Sequence, residues 1–231
     1  MNDLYEIIKN NKEKKLMAIF PHPDDETYVS GNLLQFAKKH NVRTHLVCLT
    51  RGGKGKNSYK KGNIKEIRTK ELKKVADIFK IDTLTICDYD DADLKYSHRK
   101  WSKKLKILIE KEKPFMVVTF DCGGMTGHPD HIASSMHVHR IIKNIKEKPL
   151  LFWGINKRNN YNCDLDPTHH VNSNIIYILN SIRSLITYKS QIQNISYFIF
   201  HLNIIIRRKE YYILVDPNSS HKYKYKIFKI D

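Results

Sequence analysis

Short apolar segments alternate with longer amphipathic segments along most of the chain. Each apolar segment is bounded by charged or turn-forming residues, which is typical of β-strands. The amphipathic segments repeat their apolar residues close to the helical period, most clearly over 64–80. The pattern predicts strands at Leu16–Phe20, Thr44–Thr50, Thr83–Cys87, Phe115–Phe120 and Leu150–Ile155, and helices at Glu26–Lys39, Ile64–Lys80, Ser97–Glu112 and Asp130–Lys146.

This alternation of strands and helices predicts an α/β fold. Strands separated by helices pair in parallel through right-handed crossovers. The strands are almost continuously apolar, as expected for a sheet that is covered by helices on both faces. A length of 231 residues suits one domain, so we expect a single domain over 1–231.

The pattern is weaker in the last third of the chain. Residues Asn156–Asn174 are polar and are predicted to form a long loop. Ile182–Gln191 is predicted to be helical and Tyr211–Val215 to be a strand. The segment Ile192–Arg207 is apolar on all sides, so periodicity does not distinguish a strand from a helix there.

The sequence predicts a cytoplasmic protein without a transmembrane segment. Met1–Lys15 is polar and lacks the apolar core of a signal peptide. The longest apolar stretch, Ile195–Ile206, is interrupted by polar residues and is too short to span a bilayer. The four cysteines lie far apart and form no CxxC pair, which argues against a disulfide framework or a thiolate zinc cluster and fits a reducing compartment.

The formal net charge of +17 makes nucleic acid a candidate partner. Basic proteins bind nucleic acids because they release counterions from the phosphates. The lysines are, however, scattered through 9–15, 54–74, 100–113 and 143–148 rather than gathered around aromatic stacking positions. We therefore expect no nucleic-acid binding, while attraction of a small anionic substrate remains open.

Two clusters of histidine and carboxylate residues follow predicted strands. The first is Pro21-His22-Pro23-Asp24-Asp25-Glu26, directly after Leu16–Phe20. The second is Gly127-His128-Pro129-Asp130-His131, which follows Phe115–Phe120 after a glycine-containing loop. Open α/β sheets bind ligands beyond the carboxyl ends of their strands, so both clusters lie where a site is expected.

The two clusters together contain the ligands of a hydrolytic metal site. Such a site needs nitrogen and oxygen ligands from the protein and a free coordination position. His22, Asp25 and His131 form a suitable set, and the adjacent Asp24 is a candidate general base. In the alternative interpretation the carboxylates of each cluster only cap the following helix, a role we expect for Glu26 in any case.

Both clusters resemble the paired signature of the PIG-L/LmbE-like deacetylases. That family has a Rossmann-like sheet and hydrolyses acetamides with the help of zinc. The resemblance extends over most of the chain, although only the two histidine clusters are highly specific. It includes Leu49-Thr50-Arg51-Gly52-Gly53, the pair Arg68 and Glu71, Asp91 with Leu94, Thr119-Phe120-Asp121, and Ser190-Gln191.

The resemblance implies a role for each matching residue. It implies Zn²⁺, with Fe²⁺ as an alternative in the cell, and a catalytic histidine that stabilises the oxyanion and protonates the leaving amine. It also implies two residues that contact the sugar. The metal ligands are His22, Asp25 and His131, the base is Asp24, the catalytic histidine is His128 held by Asp130, and the sugar contacts are Arg68 and Asp91.

Three positions depart from the family pattern. Thr126 stands where some members have a tyrosine that aids the oxyanion, Tyr188 replaces a histidine, and Gly53 replaces a glutamate. For Arg68, an ion pair with a carboxylate on its own helix is an equal alternative to a substrate contact. We expect these changes to alter substrate handling more than metal binding.

The leading hypothesis is therefore a zinc-dependent N-deacetylase that acts on a GlcNAc-type sugar or glycoconjugate. A second hypothesis is an amidase that removes another acyl group. A third, from a different class, is a basic nucleic-acid-binding module whose metal site is not catalytic. The oligomeric state, including a homo-oligomer, remains open.

Overall fold

The predicted α/β architecture is confirmed by the computed structural model, which describes residues 1–155, 165–206 and 209–218. Within these residues, one eight-stranded sheet has the order β1-β7-β8-β6-β5-β2-β3-β4. The strands are β1 (Asn2–Asp3), β2 (Lys15–Phe20), β3 (Arg43–Thr50), β4 (Thr83–Tyr89), β5 (Met116–Phe120), β6 (Leu150–Ile155), β7 (His169–Asn172) and β8 (Lys209–Val215).

The five strands expected from the sequence form the parallel centre of the sheet. β2 pairs with both β3 and β5, β3 also pairs with β4, and β5 also pairs with β6. The chain moves outward from β2 to β3 and β4 and then returns to β5 on the other side of β2. Loops that leave β2 and β5 therefore diverge, and this crevice is where open α/β sheets bind ligands.

Helices cover both faces of the sheet. Alternate residues of β2 point to opposite cores: Leu16, Ala18 and Phe20 belong to one, and Met17 and Ile19 to the other. The helices are α1 (Tyr5–Lys9), α2 (Asp25–Val29), α3 (Gly31–Lys39), α4 (Ile64–Phe79), α5 (His98–Glu112), α6 (Gly124–Gly127), α7 (Pro129–Lys143), α8 (Ile175–Thr187) and α9 (Ile195–Ile205).

The single helix predicted over Glu26–Lys39 is wrong, because the chain breaks into α2 and α3 at Ser30. The Glu210 carboxylate, from β8, accepts the backbone N–H groups of Asn32 at 2.7 Å and Leu33 at 2.9 Å. These bonds satisfy the free donors at the start of α3. The acceptor comes from a residue far along the chain, so local periodicity carries no sign of the break.

The last third of the chain differs from its prediction in two ways, and one open assignment is decided. The described part of the predicted loop Asn156–Asn174 includes β7, and its residues 156–164 lie outside the described residues. The helix predicted at Ile182–Gln191 is α8, which begins at Ile175 and ends at Thr187. The ambiguous segment Ile192–Arg207 contains α9. The strand predicted at Tyr211–Val215 is confirmed as part of β8.

Asparagine side chains start both of these helices. The Asn174 side chain accepts the backbone N–H of Tyr177 at 3.0 Å, and Asn194 accepts that of Tyr197 at 2.8 Å. These N-caps satisfy helix donors that would otherwise lack a partner. They place α8 and α9 one after the other beside the first histidine loop, where α2 contacts both.

None of the helices in the described ranges is long and apolar enough to cross a membrane. Cys48 and Cys87 are free thiols. Cys122 is disulfide-bonded, which does not fit the expectation drawn from the spacing of the cysteines.

Candidate metal centre and active site

The two histidine loops converge at the crevice between β2 and β5. His22 Nδ1 and His131 Nε2 lie 3.3 Å apart although 109 residues separate them in sequence. The Asp25 carboxylate completes the group, with Oδ1 3.3 Å from His131 Nε2 and Oδ2 3.4 Å from His22 Nδ1. All three side chains are buried. The structure thus brings together the three residues that the sequence predicts as metal ligands.

Hydrogen bonds on the far side of each ring fix its orientation. His131 Nδ1 donates to the Gly124 carbonyl at 3.0 Å, so in the neutral ring the lone pair of Nε2 is free to bind a cation between it and Asp25. His22 Nε2 lies 3.0 Å from Asp91 Oδ1 and 3.3 Å from Asp130 Oδ2, so a proton on Nε2 is held there, while Nδ1 faces Asp25, where a metal ion would replace the second proton of the ring. Histidine ligands of metals are usually oriented by partners of this kind.

Charge neighbours dominate the titration of this group. Burial alone would lower the pKa of His22, but hydrogen bonds to Asp130, Asp25 and Asp91 raise it well above the ordinary value. Burial would raise the pKa of Asp25, but His131 and His22 lower it strongly instead. Asp25 is therefore a carboxylate at neutral pH, as a metal ligand must be.

The spacing of the three donor atoms fits a divalent ion. Zinc bonds to nitrogen and oxygen are about 2.0–2.2 Å, and tetrahedral angles then put neighbouring donors roughly 3.3–3.5 Å apart. The His22 Nδ1–His131 Nε2 separation of 3.3 Å matches this value. The two Asp25 oxygens each face one ring, with Oδ1 3.3 Å from His131 Nε2 and Oδ2 3.4 Å from His22 Nδ1. His128 also offers a ring nitrogen within 4.8 Å of those of His22 and His131, which makes it a competing third donor. Asp25 is closer to both nitrogens and carries the negative charge, so we favour it.

Asp24 lies beside this group in a strained, half-buried position. Its φ of 109° is in the left-handed region, which is uncommon for a residue with a side chain. Its Oδ2 atom lies 3.1 Å from Arg68 Nη2. Burial raises the pKa of Asp24 to about 7, although the Arg68 charge opposes the rise. A carboxyl group with a pKa near neutrality can both accept and return a proton.

Glu26 holds Asp24 in place rather than merely capping a helix. Its Oε2 atom accepts the backbone N–H of Asp24 at 3.1 Å, and its Oε1 atom accepts hydrogen bonds from Tyr188 at 2.7 Å and Thr27 at 2.8 Å. The phenol of Tyr188, one of the departures from the family pattern, is thus bonded to the base-bearing loop. The expectation that Glu26 caps the start of α2 is confirmed, because Asp24 is the N-cap residue, and the bonds to Tyr188 and Thr27 add a second role.

Asp130 is not placed as the sequence suggests. His128 caps the start of α7, so its Nδ1 atom accepts the backbone N–H of Asp130 at 3.2 Å. The carboxylate of Asp130 turns inward and accepts the N–H groups of Ala92 at 2.7 Å and Leu94 at 3.1 Å. Burial and the nearby His131 and His22 lower the pKa of His128. The expected pairing of a charged His128 with the Asp130 carboxylate is absent from the described residues.

The predicted sugar contacts, Arg68 and Asp91, both border a cavity of about 280 Å³ above the metal group. Each also has an internal partner: Arg68 pairs with Asp24, and Asp91 with His22. The partner of Arg68 is therefore not on its own helix. Burial would raise the pKa of Asp91, but His22 lowers it to about 2.

Several cavity residues were not foreseen from the sequence. The side chains of Tyr28, Lys54, Tyr197 and His201 line the cavity together with Thr126. Tyr197 and His201 lie on α9, the segment whose secondary structure the sequence left undecided. If this segment is assigned as a helix, the four-residue spacing of Tyr197 and His201 places both on the same face.

The remaining family-like pairs meet in space. Both Glu71 carboxylate oxygens bind Ser190, one to the backbone N–H at 2.9 Å and the other to the hydroxyl at 2.6 Å. This contact ties α4 to the connection between α8 and α9. Because Arg68 lies on the same helix, one turn before Glu71, this contact also fixes the position of Arg68 at the cavity.

A family comparison agrees with this geometry. The family model described as PIG-L, GlcNAc-PI de-N-acetylase, matches residues 17–142, which include all the proposed metal ligands. A probable N-acetyl-alpha-D-glucosaminyl L-malate deacetylase 2 of Bacillus anthracis is 30% identical over 187 residues, covering 78% of this chain and 82% of the relative. The resemblance read from the sequence is confirmed.

Solved structures share the fold at low sequence identity. The N,N'-diacetylchitobiose deacetylase of Pyrococcus horikoshii superposes with a TM-score of 0.74 and 18% identity, covering 93% of this chain and 90% of its own. The 4-carboxy-2-hydroxymuconate hydratase GalB of Pseudomonas putida KT2440 reaches 0.65 with 16% identity, covering 90% and 98%. The fold alone therefore does not decide the reaction.

Proposed function

The chain belongs to the PIG-L family, and from that premise we propose that it is a metal-dependent N-deacetylase acting on a small GlcNAc-type sugar conjugate. The observation that carries the proposal is the approach of His22, Asp25 and His131 to within 3.3–3.4 Å beside a carboxyl group with a raised pKa. The family match and the continuous sheet support the further proposal of one domain over 1–231.

We assign Zn²⁺, or Fe²⁺ in the cell, to the donors His22 Nδ1, His131 Nε2 and the Asp25 carboxylate. An ion in this position supplies Lewis-acid activation of water and of the amide carbonyl. The carboxylates of Asp91 and Asp130 orient the His22 ring from behind. They also balance the positive charge of the centre, because both are buried close to it.

Asp24 is the proposed general base. It takes a proton from the attacking water, and its raised pKa makes the protonated form stable enough to carry that proton to the leaving amine. Arg68 sets this balance, because its guanidinium stabilises the ionised form before reaction. Without a proton the amine is a poor leaving group, so the transfer completes the hydrolysis to acetate and a free amine.

His128 is the proposed donor to the developing oxyanion. Its Nδ1 atom accepts a backbone N–H, so a neutral ring carries its proton on Nε2. A hydrogen bond from that atom stabilises the negative oxygen of the tetrahedral intermediate. We assign the protonation of the amine to Asp24 rather than His128, since the Asp130 carboxylate does not contact His128 to hold a second proton there.

The test combines metal analysis with an assay of acetate release from GlcNAc conjugates. We expect wild type to contain a divalent ion and to release acetate. Asp24→Asn is expected to keep the metal and to lose turnover by roughly 10²–10⁴-fold, the usual contribution of a general base. The matched control is Asp90→Asn, whose carboxylate is exposed and is expected to leave activity unchanged.

Full activity in Asp24→Asn would remove the assignment of the base. A wild-type protein that binds no divalent ion would remove the metal mechanism. Conjugates with longer acyl groups separate deacetylation from the alternative of a broader amidase.

A further inference from the structure

The helices α8 and α9 present large apolar side chains to solvent. In α9 only Ile205 is buried, whereas Ile195 is 69% exposed and Phe200 is 55% exposed. Isolated exposed apolar residues are normal, but many of them on two helices that contact each other indicate a binding surface. We define the α8–α9 face by its exposed residues Ile175, Ile176, Leu179, Ile186, Ile195, Ile199, Phe200 and Ile206.

The segment that carries this face is itself free of acidic residues. From Pro167 to Lys209 the sequence contains no Asp or Glu, and Arg183 and Lys189 are exposed within it. A basic loop lies against the connection between α8 and α9. Ser58 donates its backbone N–H to the Ser190 carbonyl at 2.9 Å, which fixes the loop there. Besides Ser58, the exposed residues of this loop are Lys54, Lys56, Tyr59, Lys60 and Lys61.

We propose that the α8–α9 face, together with the basic loop 54–61, docks on an anionic lipid surface. Apolar side chains that enter the acyl boundary and lysines that remain at the headgroups are the two components of peripheral membrane binding. α9 has 11 residues and is about 16 Å long, so it lies on the bilayer rather than crossing it.

The charge of this face favours a lipid surface over a second copy of the chain as its partner. In a symmetric dimer built on this face, the same arginine and lysine side chains would meet across the interface. Like charges at close approach disfavour such a contact. A surface rich in anionic headgroups neutralises them instead, and the basic net charge of +17 adds a long-range attraction.

Docking in this orientation has a consequence for the cavity. Tyr197 and His201 of α9 and Lys54 of the basic loop all line it. Its mouth therefore lies next to the docked face, and the cavity is brought to the level of the headgroups. This placement follows from the geometry alone and does not depend on the reaction proposed above.

The test is co-sedimentation of the full chain with vesicles at physiological ionic strength. We expect binding to phosphatidylcholine vesicles that contain phosphatidylglycerol, and none to vesicles of phosphatidylcholine alone. The double variant Lys60→Gln/Lys61→Gln is expected to weaken partitioning by roughly tenfold or more, because each lysine near the surface contributes to binding. Ile199→Ser/Phe200→Ser is expected to weaken it by roughly tenfold through lost apolar burial.

Matched controls lie on α5, which packs in the core on the opposite face of the sheet. Lys103→Gln/Lys104→Gln removes the same charge, and Ile107→Ser removes a side chain that is 57% exposed. Both are expected to bind like wild type, and circular dichroism melting verifies that every variant is folded.

Three results would overturn the proposal. Wild type could stay in the supernatant with anionic vesicles, or the α5 controls could lose binding as much as the variants of the face. The third result is that Ile199→Ser/Phe200→Ser dissociates an oligomer in sedimentation equilibrium and leaves vesicle binding unchanged. That result would assign the face to contact between copies of the chain. Because none of these readouts uses catalysis, they stand apart from a failure of the deacetylase proposal.

Discussion

The buried Arg68 guanidinium and the partly exposed Asp24 carboxylate form an ion pair, with Nη2 3.1 Å from Oδ2. Arg68 also donates hydrogen bonds to the carbonyls of Pro23 and Gly52. Gly52 has a φ of 63°, and a Cβ atom there would lie 2.3 Å from Arg68 Nη1. The positive φ and the close guanidinium both favour glycine at this position, so the loop after β3 and the helix α4 jointly set the charge environment of the proposed base.

Replacing Arg68 by methionine is expected to shift the pH profile of catalysis. Loss of the guanidinium removes the charge that lowers the pKa of Asp24, so this pKa rises above about 7. Less of the carboxyl group is then ionised at neutral pH, and the acidic limb of kcat/KM moves to higher pH. At a pH well below the pKa of Asp24, each increase of one in that pKa lowers the ionised fraction, and with it the rate, about tenfold.

The control is Arg51→Met, since Arg51 is partly exposed and its ion pair with Asp88 is long at 3.8 Å. It is expected to keep the acidic limb of wild type. A raised KM with an unmoved limb in Arg68→Met would assign Arg68 to substrate binding alone.

Asp91→Asn is expected to weaken metal binding by roughly 10–100-fold. The Asp91 carboxylate lies 3.0 Å from His22 Nε2 and makes His22 a better ligand by holding its proton. The measurement is competition with a chelator at fixed pH. Asp90→Asn, next to it but exposed, serves as the control and is expected to bind metal like wild type. Equal affinities in the two variants would show that Asp91 does not support the ligand.

Tyr188→Phe is expected to lower the free energy of unfolding by about 1–3 kcal/mol. The phenol donates to the buried Glu26 carboxylate at 2.7 Å, and its loss leaves a buried acceptor with one partner fewer. Urea unfolding at neutral pH measures the change. Tyr96→Phe removes the hydroxyl of a residue that is 72% exposed and is expected to change stability little. Similar values for both variants would contradict a supporting role for Tyr188.

Acid is expected to destabilise the fold through His137. Burial, aided by the nearby His98 and Arg140 charges, lowers the pKa of His137 to about 3. The unfolded chain, with an ordinary pKa near 6.5, binds more protons between these values. Stability is therefore full above about pH 6.5 and is lost as pH falls towards 3, by a few kcal/mol in total.

The variant His137→Phe tests this contribution, because it keeps an aromatic ring at the position and removes the group that titrates. Its unfolding free energy is expected to fall less steeply than that of wild type between pH 6.5 and 4. Parallel curves for the two proteins would locate the acid sensitivity elsewhere. His137 lies on α7 away from the cavity, so metal content does not affect the comparison.

The central strands and both histidine clusters could be predicted from the sequence because their signals are local. A short apolar segment such as Met116–Phe120 is buried on both faces and therefore shows its strand in its composition. His22 and His131 lie just beyond such strands, and the topology rule for open sheets places both at one crevice. The predicted convergence needed no knowledge of side-chain positions.

The errors arose where distant residues decide local structure. The break between α2 and α3 depends on Glu210 of β8, and the polar strand β7 forms because β8 and β1 pair with it. The helix α9 has apolar residues on every side, so its periodicity could not be read.

By itself the sequence determined the fold class, the positions of the parallel strands along the chain and the identity of the residues at the proposed metal centre, since these follow from periodicity and residue chemistry. Only the tertiary structure decided what those residues contact. It turned the Asp130 carboxylate towards His22 instead of His128, paired Arg68 with Asp24, and brought α9 over the cavity. Hydrogen bonds and ion pairs are short-ranged, so their partners depend on packing between elements that lie far apart in the chain.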